Sequence, residues 1–221
     1  MTVAPGAPEP VAQGQAKRGV AARSPCRQPG RPRDPSVDEA ILAAVVQLLG
    51  EGGPAGLSLD AVVARAGVSK ASLYRRWSSK TELIVAAVAQ EAAMLIPVVD
   101  TGSVRNDLIH LLGGFLDLLR GPQHGLVTAL LAEVQASTPL GNALRVGLMV
   151  PRRQLLVAAL ERGIARGEVR ADIDLLLVSN LLFGGLLHRA VFYGETGDPH
   201  APRKLIETIF QGIAAPNAMR G

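Results

Sequence analysis

The chain has 221 residues, of which 48% are hydrophobic and 19% charged, with a net charge of +4, so it can bury a core and neither a disordered nor a fibrous composition fits. The single cysteine, Cys26, excludes an internal disulfide, and His110, His124, His188 and His200 are too scattered for a metal site, so no metal and no cofactor is expected. The longest charge-free apolar run, Leu175 to Leu187, spans 13 residues and contains Ser179 and Asn180, short of the ~20 that a membrane span needs, and the N-terminus lacks the apolar stretch of a signal peptide. The expectation is a cytoplasmic protein with no membrane helix.

Residues 1–35 form the first unit, read as a disordered basic arm. Up to Val37 the chain carries Lys17, Arg18, Arg23, Arg27, Arg31 and Arg33 against Glu9 and Asp34, which accounts for the whole net charge. Seven of the fifteen prolines lie in this stretch and no aromatic residue does, so burial cannot offset its ordering entropy. It serves either as a solubilising tail or as an arm that strengthens binding to a polyanion.

From Ser36 onward apolar residues recur at spacings of three and four with no sustained alternation, which predicts an all-α fold. Ser36 and Glu39 form a capping-box pattern at the first helix, Ile41, Ala44, Val45, Leu48 and Leu49 make its apolar face, and Gly52, Gly53 and Pro54 stop it. Ser58 caps a second helix that Gly67 ends, Ser69 caps a third from Lys70 to about Trp77, and Ser79 to Glu82 is a capping-box pattern opening a fourth.

Two short helices around a glycine turn, with a longer helix ahead, match a helix-turn-helix at about 58–77 within a domain of residues 36–80. Between Arg65 and Lys80 the chain carries Arg65, Lys70, Arg75, Arg76 and Lys80 and no acidic residue. Leu73, Trp77 and Val68 face inward, which turns Lys70, Ala71, Ser72, Tyr74, Arg75 and Arg76 outward or to the flanks. Small Ala71 and Ser72 allow close approach to a major groove, and the long cations reach guanine edges or phosphates; a solvated basic face on a helical hairpin is the plainer alternative.

The segment Ser58 to Leu83 resembles the DNA-binding domain of TetR-type transcriptional regulators. Ala66-Gly67-Val68-Ser69, Leu73-Tyr74, Trp77 and Lys80-Thr81-Glu82-Leu83 supply that family's recurring features in order and spacing. Val63 stands where the family has alanine and Trp77 where it has phenylalanine, both apolar and inward. The resemblance implies that Ser58, Tyr74 and Lys80 bind phosphates, that Lys70, Ala71 and Arg75 or Arg76 meet base edges, and that Ser69 and Ser72 serve either. It also implies a connecting helix, 81–96, and a C-terminal regulatory and dimerisation domain, 97–221.

In that domain helices are expected near Ser103–Arg120, Leu126–Ala136, Leu140–Arg166 with a kink or break at Pro151, Asp172–Tyr193 and Pro202–Ala214. The resemblance places Leu182, Leu186, Val191, Leu205, Ile209 and Phe210 in a homodimer interface, although the same residues would serve a monomer core. A ligand pocket would lie between the helices of residues 100–170, with His110, Phe115, Leu119, Leu131, Met149 and Arg152 as candidate lining; an ordinary core is the alternative. No Gly-rich phosphate loop, nucleophile elbow or zinc helix motif is present, so no enzyme is expected. The sequence reads as a homodimeric repressor that binds palindromic double-stranded DNA and is released by a small apolar or amphipathic effector. The alternatives are a DNA-binding protein without an effector and a helical small-molecule binder with a vestigial helix-turn-helix.

Overall fold

The computed structural model describes residues 35–213, and over them the chain is all-α, with no β-strand. The basic arm and the last eight residues lie outside the described residues, as does the side chain of Ile213. The helices are α1 (Pro35–Gly56), α2 (Leu59–Ala66), α3 (Lys70–Tyr74), α4 (Lys80–Leu95), α5 (Val104–Arg120), α6 (His124–Gln135), α7 (Pro139–Leu144), α8 (Val150–Ala165), α9 (Leu175–Tyr193) and α10 (Ala201–Ile213); a π-helical turn, Arg145–Met149, joins α7 to α8.

Local chemistry explains the N-terminal part. The α1 helix starts at Pro35, one residue ahead of the expected cap, so Ser36 sits inside its first turn. Gly53 breaks it with φ 65 and ψ −178, a conformation that favours glycine. Gly67 ends α2 in the left-handed region at φ 66, and Val68 N–H then bonds Val63 O at 3.2 Å. Ser69 Oγ accepts from Ser72 N, and Ser79 Oγ from Glu82 N. Two expected caps differ. Ser58 makes no side-chain bond at the start of α2, and the Glu82 carboxylate reaches Ser78, accepting from its N–H at 2.7 Å and its hydroxyl at 2.6 Å, rather than Ser79. Those bonds lower the Glu82 pKa below the usual carboxylate range. The α3 helix ends at Tyr74, and Trp77 follows in a turn bonded back to Leu73 O at 3.0 Å.

The expected kink at Pro151 takes the form of the π turn. A proline ring collides with the carbonyl four residues earlier, here Gly147, and the wider π turn makes room for it.

Two hydrophobic clusters divide the described residues. The first joins α1, α2, α3 and α4 to Leu126 and Leu130 of α6, Leu144 of α7 and Leu148 of the π turn. The second joins Ile96 to α5, α8, α9 and α10. Each fully buried leucine contributes ~1.5–3 kcal/mol by leaving water, so the first cluster binds the helix-turn-helix to the middle of the chain, past the expected boundary at residue 80.

The α9 helix, at 19 residues and mean hydropathy 1.6, is long and apolar enough to cross a membrane by length and composition alone, a test that the core helix of a soluble protein also passes. Its inner residues Val178, Ser179, Leu182, Leu186 and Ala190 are buried among α5, α8 and α10.

Candidate functional site

The recognition element stands on Leu73 and Trp77, which are 2% and 8% exposed and pack into the first cluster. This anchoring presents Ser69, Lys70, Ala71, Tyr74 and Arg75 outward, with Ser58 exposed at the start of α2 and Ser72 and Lys80 half-buried. Tyr74 is 56% exposed.

The fold brings acids to three of the five cations between residues 65 and 80. Arg65 Nη1 pairs with Glu51 at 2.8 Å, raising its own pKa and lowering that of Glu51. Lys70 Nζ meets Asp60 at 2.6 Å; the hydrogen bond to Asp60 raises the Lys70 pKa. Arg76 pairs with Asp38 of α1, and its Nη1 donates to Ser72 O at 3.1 Å. Its side chain is only 7% exposed, which corrects the expected base-contacting role: Arg76 faces α1, and Arg75 is the outward arginine. Neither Arg75 nor Lys80 has a side-chain partner among the described residues. Lys80 opens α4, where the positive end of the helix dipole adds to its charge.

A cavity of about 420 Å³ lies at the seam between the two hydrophobic clusters. Val88, Ala92 and Ile96 of the α4 segment form one wall, and Leu111, Leu112, Phe115 and Leu118 of α5 another. Val127, Leu130 and Leu131 of α6, residues of the π turn and α8 that include Arg145, Leu148, Met149, Arg152, Arg153, Leu155 and Leu156, and Ser179, Asn180 and Phe183 of α9 also line it. Of the expected lining, Phe115, Leu131, Met149 and Arg152 are present. His110 and Leu119 are not: His110 is exposed on α5, and Leu119 is packed at 2% exposure. The sequence offered no sign of the α4 wall, because Val88, Ala92 and Ile96 read equally as core. Arg152 Nη1 donates to Ala92 O at 3.3 Å and Ile96 O at 3.4 Å, and burial lowers its pKa. Among the described residues no metal-binding cluster is found.

The expected interface residues separate. Leu182, Leu186 and Phe210 are 0%, 1% and 2% exposed within one chain, so they belong to its own core and cannot also form a subunit face. Leu205 and Ile209 are half-buried against that core. Only Val191 is exposed, at 46%, and it joins Leu177, Leu181 and Phe192, which the sequence reading left out, on the outer side of α9. A Cβ on Gly185 would lie 3.2 Å from Leu205, so this glycine lets α10 approach closely, whereas Gly184 faces open space.

A helix-turn-helix joined to a helical domain with a cavity is the architecture of a DNA-binding transcriptional regulator. The comparisons with known proteins supply the family. Residues 41–87 match the family model described as bacterial regulatory proteins, tetR family, and residues 98–209 match that described as tetracyclin repressor-like, C-terminal domain. The chain is 31% identical to the uncharacterized HTH-type transcriptional regulator YdeS of Bacillus subtilis over 86% of its length and 96% of that protein. It is 33% identical to the DNA-binding transcriptional repressor TetR of Mycobacteroides abscessus, covering 81% of this chain and 94% of that one. The crystal structure of the TetR family regulator SCO0332 superposes with a TM-score of 0.68 at 30% identity, covering 80% of this chain and 98% of that one. FadR of Bacillus subtilis, solved in complex with stearoyl-CoA, shares the fold with a TM-score of 0.61 at 19% identity, over 79% and 98% of the two chains. The chain belongs to the tetR family of transcriptional regulators.

Proposed function

We propose that the chain is a homodimeric repressor that binds a palindromic operator and leaves it when a small apolar or amphipathic molecule fills the cavity. The observation that carries this reading is the position of α4. Its first residues follow the recognition element directly, and its last turn forms a wall of the cavity. A ligand that spreads the seam displaces α4 and with it the recognition helix, so ligand and DNA favour different conformers. The contact is tight: a Cβ on Gly147 of the π turn would collide with Val85 of α4, leaving little slack between them.

The outer face of α9 supports the dimer. Leu177, Leu181 and Phe192 are 54%, 52% and 74% exposed, an apolar stripe that a second copy would cover. Two copies place two recognition helices for half-sites one helical turn apart. On DNA, Ser58, Tyr74 and Lys80 contact phosphates, Arg75 and Ala71 contact bases with Ser69 and Ser72, and Lys70 does so after exchanging Asp60 for the duplex. Such a protein works in the cytoplasm, where its operator lies.

Selection from a random duplex pool by the purified protein, near physiological salt, tests the reading. Recovery of an inverted repeat with half-sites one turn apart is expected; recovery of no motif by folded protein refutes it.

A further inference from the structure

The walls of the cavity are mostly apolar, Ser179 and Asn180 of α9 are polar, and every charged residue that lines it is cationic. Arg145, Arg152 and Arg153 line it, and no aspartate or glutamate does. Arg145 is engaged by Asn142 Oδ1 at 2.9 Å and Val134 O at 2.6 Å. Arg153 is exposed and has no side-chain partner among the described residues. Arg152 is half-buried, meets no carboxylate, and bonds only two neutral carbonyls at 3.3 and 3.4 Å. These are long bonds for a guanidinium. A desolvated cation held by two long bonds to neutral acceptors gains from any anion placed beside it, because charge-assisted bonds are shorter and about twice as strong.

The two carbonyls close α4. Ala92 and Ile96 stand at its C-terminal end, where the helix dipole is negative, and the last turn of α4 carries no basic residue of its own. Arg152, reaching across from α8, is the cation at that end.

Resting on the reading of the cavity as an effector site, we propose that the effector is an amphipathic anion whose acidic head group takes Arg152 from the carbonyls of Ala92 and Ile96. The apolar tail lies among Leu112, Phe115, Leu131 and Phe183, and the head group sits against Arg152 with Arg153 beside it. Binding therefore removes a support of the α4 terminus at the moment it fills the seam. A neutral compound of the same shape fills the seam and leaves that support in place.

The test uses the full chain and two probes of eight carbons each, octanoate and 1-octanol, titrated by calorimetry into wild type, Arg152→Met and Arg152→Lys. Wild type is expected to hold octanoate roughly tenfold more tightly than octanol, the size of one charge-assisted bond. Arg152→Met removes that preference while keeping octanol affinity, and Arg152→Lys keeps most of it. Hydrogen exchange over residues 88–97 is expected to quicken with octanoate and not with octanol. Equal wild-type affinity for the two probes overturns the anion assignment and leaves the cavity reading intact. Binding of neither probe overturns both. Octanoate preference with unchanged exchange overturns the release of α4. The wild-type comparison stands even where Arg152→Met fails to fold.

Discussion

Replacing Arg76 by alanine is expected to weaken the protein rather than change its choice of bases. The Arg76 side chain is 7% exposed and joins Asp38 of α1 to Ser72 O of α3. Removing one member of a fully buried pair costs ~3–5 kcal/mol. Asp38 is 36% exposed, so the carboxylate left behind is partly solvated and the loss falls to ~2–3 kcal/mol. For a chain of this size that lowers the melting temperature by about 4–12 °C. Arg75→Ala, one residue away and outward, is expected to change stability by less than ~0.5 kcal/mol and to alter DNA binding. Circular dichroism melts, with anisotropy on a selected duplex, separate the two. An Arg76→Ala protein that melts like wild type and prefers a different sequence would refute the reasoning.

On α9, Leu181→Glu is expected to yield a monomer in analytical ultracentrifugation with little change in chain stability, while Leu182→Ala, one position inward, costs ~2.7–5 kcal/mol; a dimeric Leu181→Glu removes the interface. Leu131→Trp fills part of the 420 Å³ cavity and is expected to abolish effector binding, and undiminished uptake of octanol would contradict it. Burial alone would raise the pKa of Asp107, but the Thr101 N–H and hydroxyl and the Arg162 guanidinium outweigh it and hold the carboxyl below its ordinary value. Its stabilisation is therefore present above the unfolded value of ~3.9 and lost as the pH falls through the lower folded one. Asp107→Asn is expected to be less stable at neutral pH and to flatten the stability curve below about pH 4; an unchanged acid slope would rule this out.

The recognition element was legible in the sequence because short-range chemistry determines it. Gly67, Ser69 and Ser79 act through neighbours a few residues away and take the turn and cap positions that their spacing predicts, and Leu73 and Trp77 face inward as their spacing predicts, although α3 ends before Trp77. The direction of Arg76 was not legible, since Asp38 lies 38 residues earlier and only the fold brings the two together. Nor could the inner and outer faces of α9 be separated: Leu181 and Leu182 are alike in type, and a helix apolar all round gives no sign of which side is covered. The cavity needed the fold, because its walls come from α4 to α6, the π turn, α8 and α9, with no shared periodicity.

The sharing of one core by the helix-turn-helix and the middle of the chain bears on exchanging DNA-reading heads between regulators. A graft cut at the end of α4 would strip Leu126, Leu130, Leu144 and Leu148 from the surface they cover and leave each half of the chimera with an uncovered oily face. The workable junction follows the core rather than the chain order. Donor residues lining both sides of that cluster must travel together, so in this chain changing the DNA-reading head also means carrying over parts of α6, α7 and the π turn.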